Sequence, residues 1–133
     1  MLSVCTGSWA LAQAGVIDGR RATTNKASFR TVIVRLIPCS LFSFSYAYAP
    51  VIRPSHQQQT ADRKIDWVPK ARWVVDGGFW SASGVSAGID MTVAWFKHLI
   101  GDELTLEIQG IVEVSSKEEG DDEWAGFHGL VPQ

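Results

Sequence analysis

The chain has 133 residues, 46% hydrophobic and 20% charged, a balance that excludes a disordered or collagen-like protein. Its 12 basic and 14 acidic side chains leave a formal charge of −2, so no polycationic footprint points to nucleic acid. Two cysteines, Cys5 and Cys39, are too few for a disulfide framework, and a reducing, cytoplasmic setting is expected.

The average charge hides an asymmetry. Residues 1–101 carry 11 Lys or Arg against 5 Asp or Glu, whereas residues 102–133 carry 1 against 9. The opening run Met1 to Ala14 lacks a charged n-region and is broken by Gly7 and Ser8, which argues against a secretion signal. Val32 to Ala49 is apolar and aromatic, but Arg35, Pro38 and its serines spoil a spanning helix, so no membrane association is expected.

Leu2-Ser3-Val4 reads as the end of a buried strand. Ser8 to Ala14 favours helix and stops at Gly15, a good residue beyond a helix end. Asp18-Gly19 is a turn pair before a short strand over Arg20 to Thr24, and Asn25 is placed to cap a brief helix over Lys26 to Arg30. From Thr31 to Arg63 neither the helical nor the strand period persists, and three prolines and a Gln run interrupt the chain. Order returns at Ile65. Arg72 to Val75 reads as a strand, Asp76-Gly77-Gly78 as a tight turn, and Phe79 to Ala82 as its returning partner.

The small-residue loop Ser83 to Ser86 opens a helix over Ala87 to Leu99. Its residues Ile89, Val93, Phe96 and Ile100 recur at helical spacing and are expected to lie on a sheet. Gly101 ends it. Asp102 and Glu103 suit the first turn of a second helix, which runs to Val114 and should bury Leu104, Ile108, Ile111 and Val112. Residues 115–133 hold the acidic run Glu118 to Glu123 and are expected to form a mobile tail.

Little of this chain carries chemistry by residue type alone. Cys5 stands between a strand and a helix, where it is either a buried structural cysteine or a nucleophile. His56, His98 and His128 have no metal-ligand spacing to either cysteine, so no metal site is expected. No glycine-rich phosphate loop follows a strand, and no cofactor is expected. Asp90 on the long helix is expected to be a structural hydrogen-bond partner, and Trp73 and Trp80 to pack as strand residues.

Three blocks carry a resemblance. Ser3-Val4-Cys5-Thr6-Gly7 with Ala14 to Thr24, then Trp67 to Gly77, then Ser83 to Thr92 resemble, in order, the second half of the ThiJ/PfpI family of the class I glutamine amidotransferase-like superfamily. Thr24-Asn25-Lys26 is similar to the isonitrile hydratase-like branch. The resemblance implies an α/β chain forming the C-terminal half of a flavodoxin-like α/β/α sandwich, over residues 1–114 with an anomalous insert at about 31–64, and an acidic tail over 115–133. It implies Cys5 as nucleophile at a strand–helix elbow, with Thr6 and Gly7 offering amides to a developing oxyanion. It further implies a small electrophilic substrate, with homodimers in the intact family.

Asn25 departs from members that carry histidine there. Asparagine can orient a substrate but cannot shuttle a proton, which favours hydratase-like over protease-like chemistry. Family members also precede the cysteine with about as much chain again, and some append a helix-turn-helix domain of which residues 115–133 show no pattern. Three expectations follow: an N-terminally truncated chain, translated non-coding sequence over residues 31–64, and activity that is impaired. A non-catalytic remnant and a redox-sensing or protective thiol are the alternatives.

Overall fold

The computed structural model describes residues 1–33 and 65–132. Nearly all of the expected insert, with Cys39 and His56, lies outside the described residues. Among these residues the elements run β1 (Leu2–Val4), α1 (Gly7–Gln13), β2 (Arg21–Ala22), α2 (Phe29–Ile33), β3 (Asp66–Trp67), β4 (Trp73–Asp76), β5 (Phe79–Ala82), α3 (Val85–Ile100), α4 (Asp102–Val112) and α5 (Glu123–Phe127). The fold is mixed α/β.

The hairpin forms where the sequence places it. Asp76 pairs with Phe79 across Gly77-Gly78, and Gly77 adopts the left-handed φ of 56° that the tight turn needs. β5 then sits at the centre of a three-stranded sheet in the order β1-β5-β4, parallel to β1 and antiparallel to β4. A separate two-stranded parallel pair joins β2 to β3, matching Arg21 with Asp66 and Ala22 with Trp67.

Strand alternation divides the interior in two. Phe79 points to one face of the sheet, where it packs with Ala12, Ile17 and Ala22 and is flanked by Leu11 and Trp67. Ala82, two residues along from the half-buried Trp80 on the opposite face, packs with Trp73, Ala87 and Met91. Helices α1 and α3 therefore cover opposite faces. β1 is less enclosed than expected: Leu2 and Val4 are 42% and 41% exposed, because β5 is the neighbour to which this short strand is hydrogen-bonded.

The long helix turns differently from the sequence expectation. Ala87, Gly88 and Met91 are buried on its sheet-facing side, while Ile89 is 47% exposed. Small residues allow the closer approach: a Cβ at Gly88 would stand 2.9 Å from a methyl of Val4. Ile89, Val93 and Phe96 instead line a groove with Thr105, Ile108 and Val112 of α4. The helix α4 forms, but the expected burial of its stripe does not hold. Leu104, Ile111 and Val112 are exposed, and Thr105 is the buried residue of that helix, donating from Oγ1 to the Gly101 carbonyl at 2.7 Å.

The short helix after Asn25 also shifts. Residues 26–28 form a turn, and α2 begins at Phe29. The acidic end of the chain, expected to be mobile, is packed instead. Ala125 is fully buried, Asp122 caps α5 by accepting from the amides of Trp124 and Ala125, and Arg72 donates its amide to the Glu119 carbonyl at 2.8 Å. Buried Lys26 pairs with Asp122 of this run at 3.1 Å, while buried Arg72 pairs mainly with Asp90 of α3. No helix among the described residues is long and apolar enough to cross a membrane.

Candidate nucleophile elbow

Cys5 closes β1 and opens α1. Its amide donates to the Ala82 carbonyl at 2.9 Å, extending the β1–β5 ladder by one residue. The chain then reverses sharply: Cys5 has φ 59°, in the left-handed region that side chains other than glycine rarely adopt. Such a conformation costs on the order of 1–3 kcal/mol and persists only when its surroundings hold it. Here two hydroxyls take up the Cys5 carbonyl: Ser8 Oγ donates to it at 3.2 Å and Thr24 Oγ1 at 3.1 Å. The thiol is free and half-buried.

Thr6 and Gly7 follow at the start of the helix. The Thr6 carbonyl accepts from Trp9 and Ala10, and its hydroxyl makes no capping bond. At Gly7 a Cβ would lie 3.2 Å from Ser3 Oγ, so glycine lets α1 sit tightly on β1. Asn25 accepts from the Ser28 amide through Oδ1 at 3.2 Å, which serves the local turn and leaves its NH₂ group to donate.

Ser8 and Thr24 escaped the sequence reasoning. Ser8 lies three residues after the cysteine, a spacing from which its hydroxyl contact was recoverable. Thr24 is 19 residues away and arrives only because β2 runs alongside the sheet. Thr23 anchors that approach, receiving a buried contact from Lys26 and donating its amide to Ser81 Oγ at 2.9 Å.

Among the described residues, charge collects around Lys26 and Arg72. Lys26 Nζ reaches Thr23 Oγ1 and the Ala71 carbonyl, each at 2.9 Å, and Asp122 at 3.1 Å. Burial pushes this ammonium below the usual lysine range, and the Asp122 charge and hydrogen bond oppose the shift. Arg72 Nε donates to Asp90 at 2.6 Å, and the other Asp90 oxygen accepts the Lys117 amide at 3.0 Å. Asp90 is thus engaged structurally. His98 stands against Trp80 with ring centroids 5.8 Å apart, and His128 lies edge-on to Phe127. Among the described residues no group of three or more His, Cys, Asp or Glu side chains is arranged to hold a metal ion.

Neither a family model nor a curated protein matches the chain. Among solved structures it is similar to an AraC family transcriptional regulator from Pseudomonas putida, with a TM-score of 0.54 and 17% identity, over 84% of this chain and 45% of that one. The chain thus spans less than half of that structure, and the likeness is one of fold alone. These findings overturn the assignment to the ThiJ/PfpI family and its isonitrile hydratase-like branch: no family model supports it, and the likeness found is to a regulator. The physical reason lies in the blocks themselves. Strand–elbow–helix and strand–turn–strand words encode local geometry that several families share.

Proposed function

We propose that Cys5 is the nucleophile of a cysteine-dependent hydratase or hydrolase acting on a small electrophilic substrate. The observation that carries this is its left-handed φ at a strand-to-helix turn, with the thiol free and half-buried. An elbow of this shape lifts a side chain out of the sheet edge toward incoming substrate. In this scheme the thiolate sulfur attacks the electrophilic carbon and opens its multiple bond, and the Thr6 and Gly7 amides stabilise the charge that develops. The Asn25 NH₂ orients the substrate, and water then adds to the carbon as the C–S bond breaks and the thiolate leaves. The proton comes from a separate acid, because asparagine does not titrate.

Turnover of a panel of isonitriles, α-oxoaldehydes and amides by wild type and Cys5→Ala tests the proposal. The expected loss in the alanine variant is at least about 10³-fold in kcat. Equal turnover by both proteins removes Cys5 from the mechanism, and no turnover by wild type removes the enzymatic reading.

A redox-sensing or protective thiol is the second reading, favoured by the partial exposure of Cys5. Intact mass after one equivalent of peroxide separates it, with selective oxidation of Cys5 as its expected result. The same proposal takes the sheet with α1 and α3 on opposite faces as part of a flavodoxin-like sandwich and places the chain in the cytoplasm. It includes a homodimer, for which exposed Leu104, Leu106 and Ile111 on α4 offer apolar surface.

A further inference from the structure

We propose that the docked carboxy-terminal segment, residues 117–127, is a clamp that holds the Cys5 elbow in its left-handed conformation, with Lys26 as the positioning residue that transmits it. The geometry forms one continuous chain of contacts. Asp122, whose side chain is 1% exposed, pairs with Lys26 Nζ at 3.1 Å, and Lys26 is 4% exposed. That ammonium donates to Thr23 Oγ1 at 2.9 Å. Its bonded neighbour Thr24, fully buried like Thr23, donates to the Cys5 carbonyl at 3.1 Å.

Lys26 Nζ donates to two acceptors, Thr23 Oγ1 and the Ala71 carbonyl, and stands 3.1 Å from Asp122 Oδ2 as an ion pair. Removing the carboxylate leaves a buried cation without its counter-charge, which is strongly destabilising. Lys26 cannot move without disturbing Thr23 and, one peptide unit on, the Thr24 hydroxyl at the elbow. Two further contacts dock the same segment: the Arg72 amide donates to the Glu119 carbonyl, and the Lys117 amide donates to Asp90. The segment thereby bridges residues 23–26 to residues 71–72, which the chain brings together from opposite sides of residues 34–64.

The consequence for reactivity rests on the reading of Cys5 as nucleophile. The coupling itself is conformational and is measured without turnover, so failure of one is distinguishable from failure of the other. NMR on the full chain supplies both halves of the test. The ¹³Cα and ¹³Cβ shifts of Cys5 report its backbone conformation, and hydrogen exchange of the Arg72 amide reports docking of the segment. Glu113 is the internal control, since it holds a left-handed φ of 55° at the end of α4, before the docked segment.

In Asp122→Asn, which keeps an oxygen to cap α5, Arg72 exchange is expected to speed at least tenfold. The Cys5 shifts should move away from left-handed values while those of Glu113 stay. Thr24→Val, which cuts the last link only, is expected to move Cys5 without speeding Arg72. The proposal is overturned if Asp122→Asn releases the segment and leaves Cys5 in place, or if Arg72 exchange is unchanged. It is also overturned if Cys5 and Glu113 move together, which marks general loosening. Should Asp122→Asn fail to fold, Thr24→Val decides alone: unmoved Cys5 shifts overturn the coupling.

Discussion

At Cys5 a single side chain occupies a conformation that costs an L-residue about 1–2 kcal/mol, and hydrogen bonds to its amide and carbonyl hold it there. Comparing Cys5→Gly with Cys5→Ala isolates that cost, because both remove the thiol and only alanine keeps a Cβ. The glycine variant is expected to be the more stable by about 1 kcal/mol, read from urea midpoints. Equal midpoints would mean that the left-handed turn carries no strain. The place of Cys5 between a strand and a helix was legible because it depends on neighbours within a few residues, whereas the helix expected from Lys26 begins only at Phe29. The Thr24 contact was not, since its partner Cys5 is 19 residues away and is reached only through the fold.

Among the elements, the β4–β5 hairpin was legible with β4 shifted by one residue, because Gly77-Gly78 defines its own turn. The long helix was legible as an element but not in the direction it faces. Hydrophobic spacing pointed Ile89, Val93 and Phe96 at the sheet, whereas the small residues Ala87 and Gly88 won that side by allowing closer packing. Gly88→Ala therefore tests two opposing effects. Alanine gains about 1 kcal/mol of helix propensity over glycine, yet its Cβ meets the branched, stiff Val4 at 2.9 Å. The clash is expected to prevail, with a net loss of about 1–2 kcal/mol. Adding Val4→Ala should recover part of that loss in a double-mutant cycle, and purely additive effects would place the clash elsewhere.

For the molecule as a whole, the acidic carboxy-terminal segment is part of the fold, and its electrostatics give a pH signature. The Lys117 ammonium, hydrogen-bonded at 2.7 Å, holds the Glu123 carboxyl below the usual 4.5, aided by its own backbone amide and by the charges of Lys117 and Arg72. A carboxyl lowered on folding stabilises the folded state above its unfolded value and loses that contribution as pH falls through its folded value. Wild type is therefore expected to exceed Glu123→Gln in urea midpoint at neutral pH. The difference should fade below about pH 4.5 and vanish once the folded carboxyl is protonated. A difference that persists unchanged into strong acid would assign it to packing. Because the residue is exposed, the effect should also shrink with added salt.

Local chemistry in the sequence by itself determined the hairpin, the long helix with its glycine stop, the strand–cysteine–helix turn and the acidic character of the last residues. Each is a property of neighbouring residues, which propensity and turn geometry decide without reference to the rest of the chain. Only the tertiary structure decided that α3 meets the sheet through its small residues, that Thr24 reaches the Cys5 carbonyl, and that the acidic end docks. Docking turns on Lys26 being buried where Asp122 can meet it, and on the Arg72 amide being placed where the Glu119 carbonyl accepts from it. A buried cation must find its counter-charge wherever the fold brings one, and no local pattern in the sequence records that meeting.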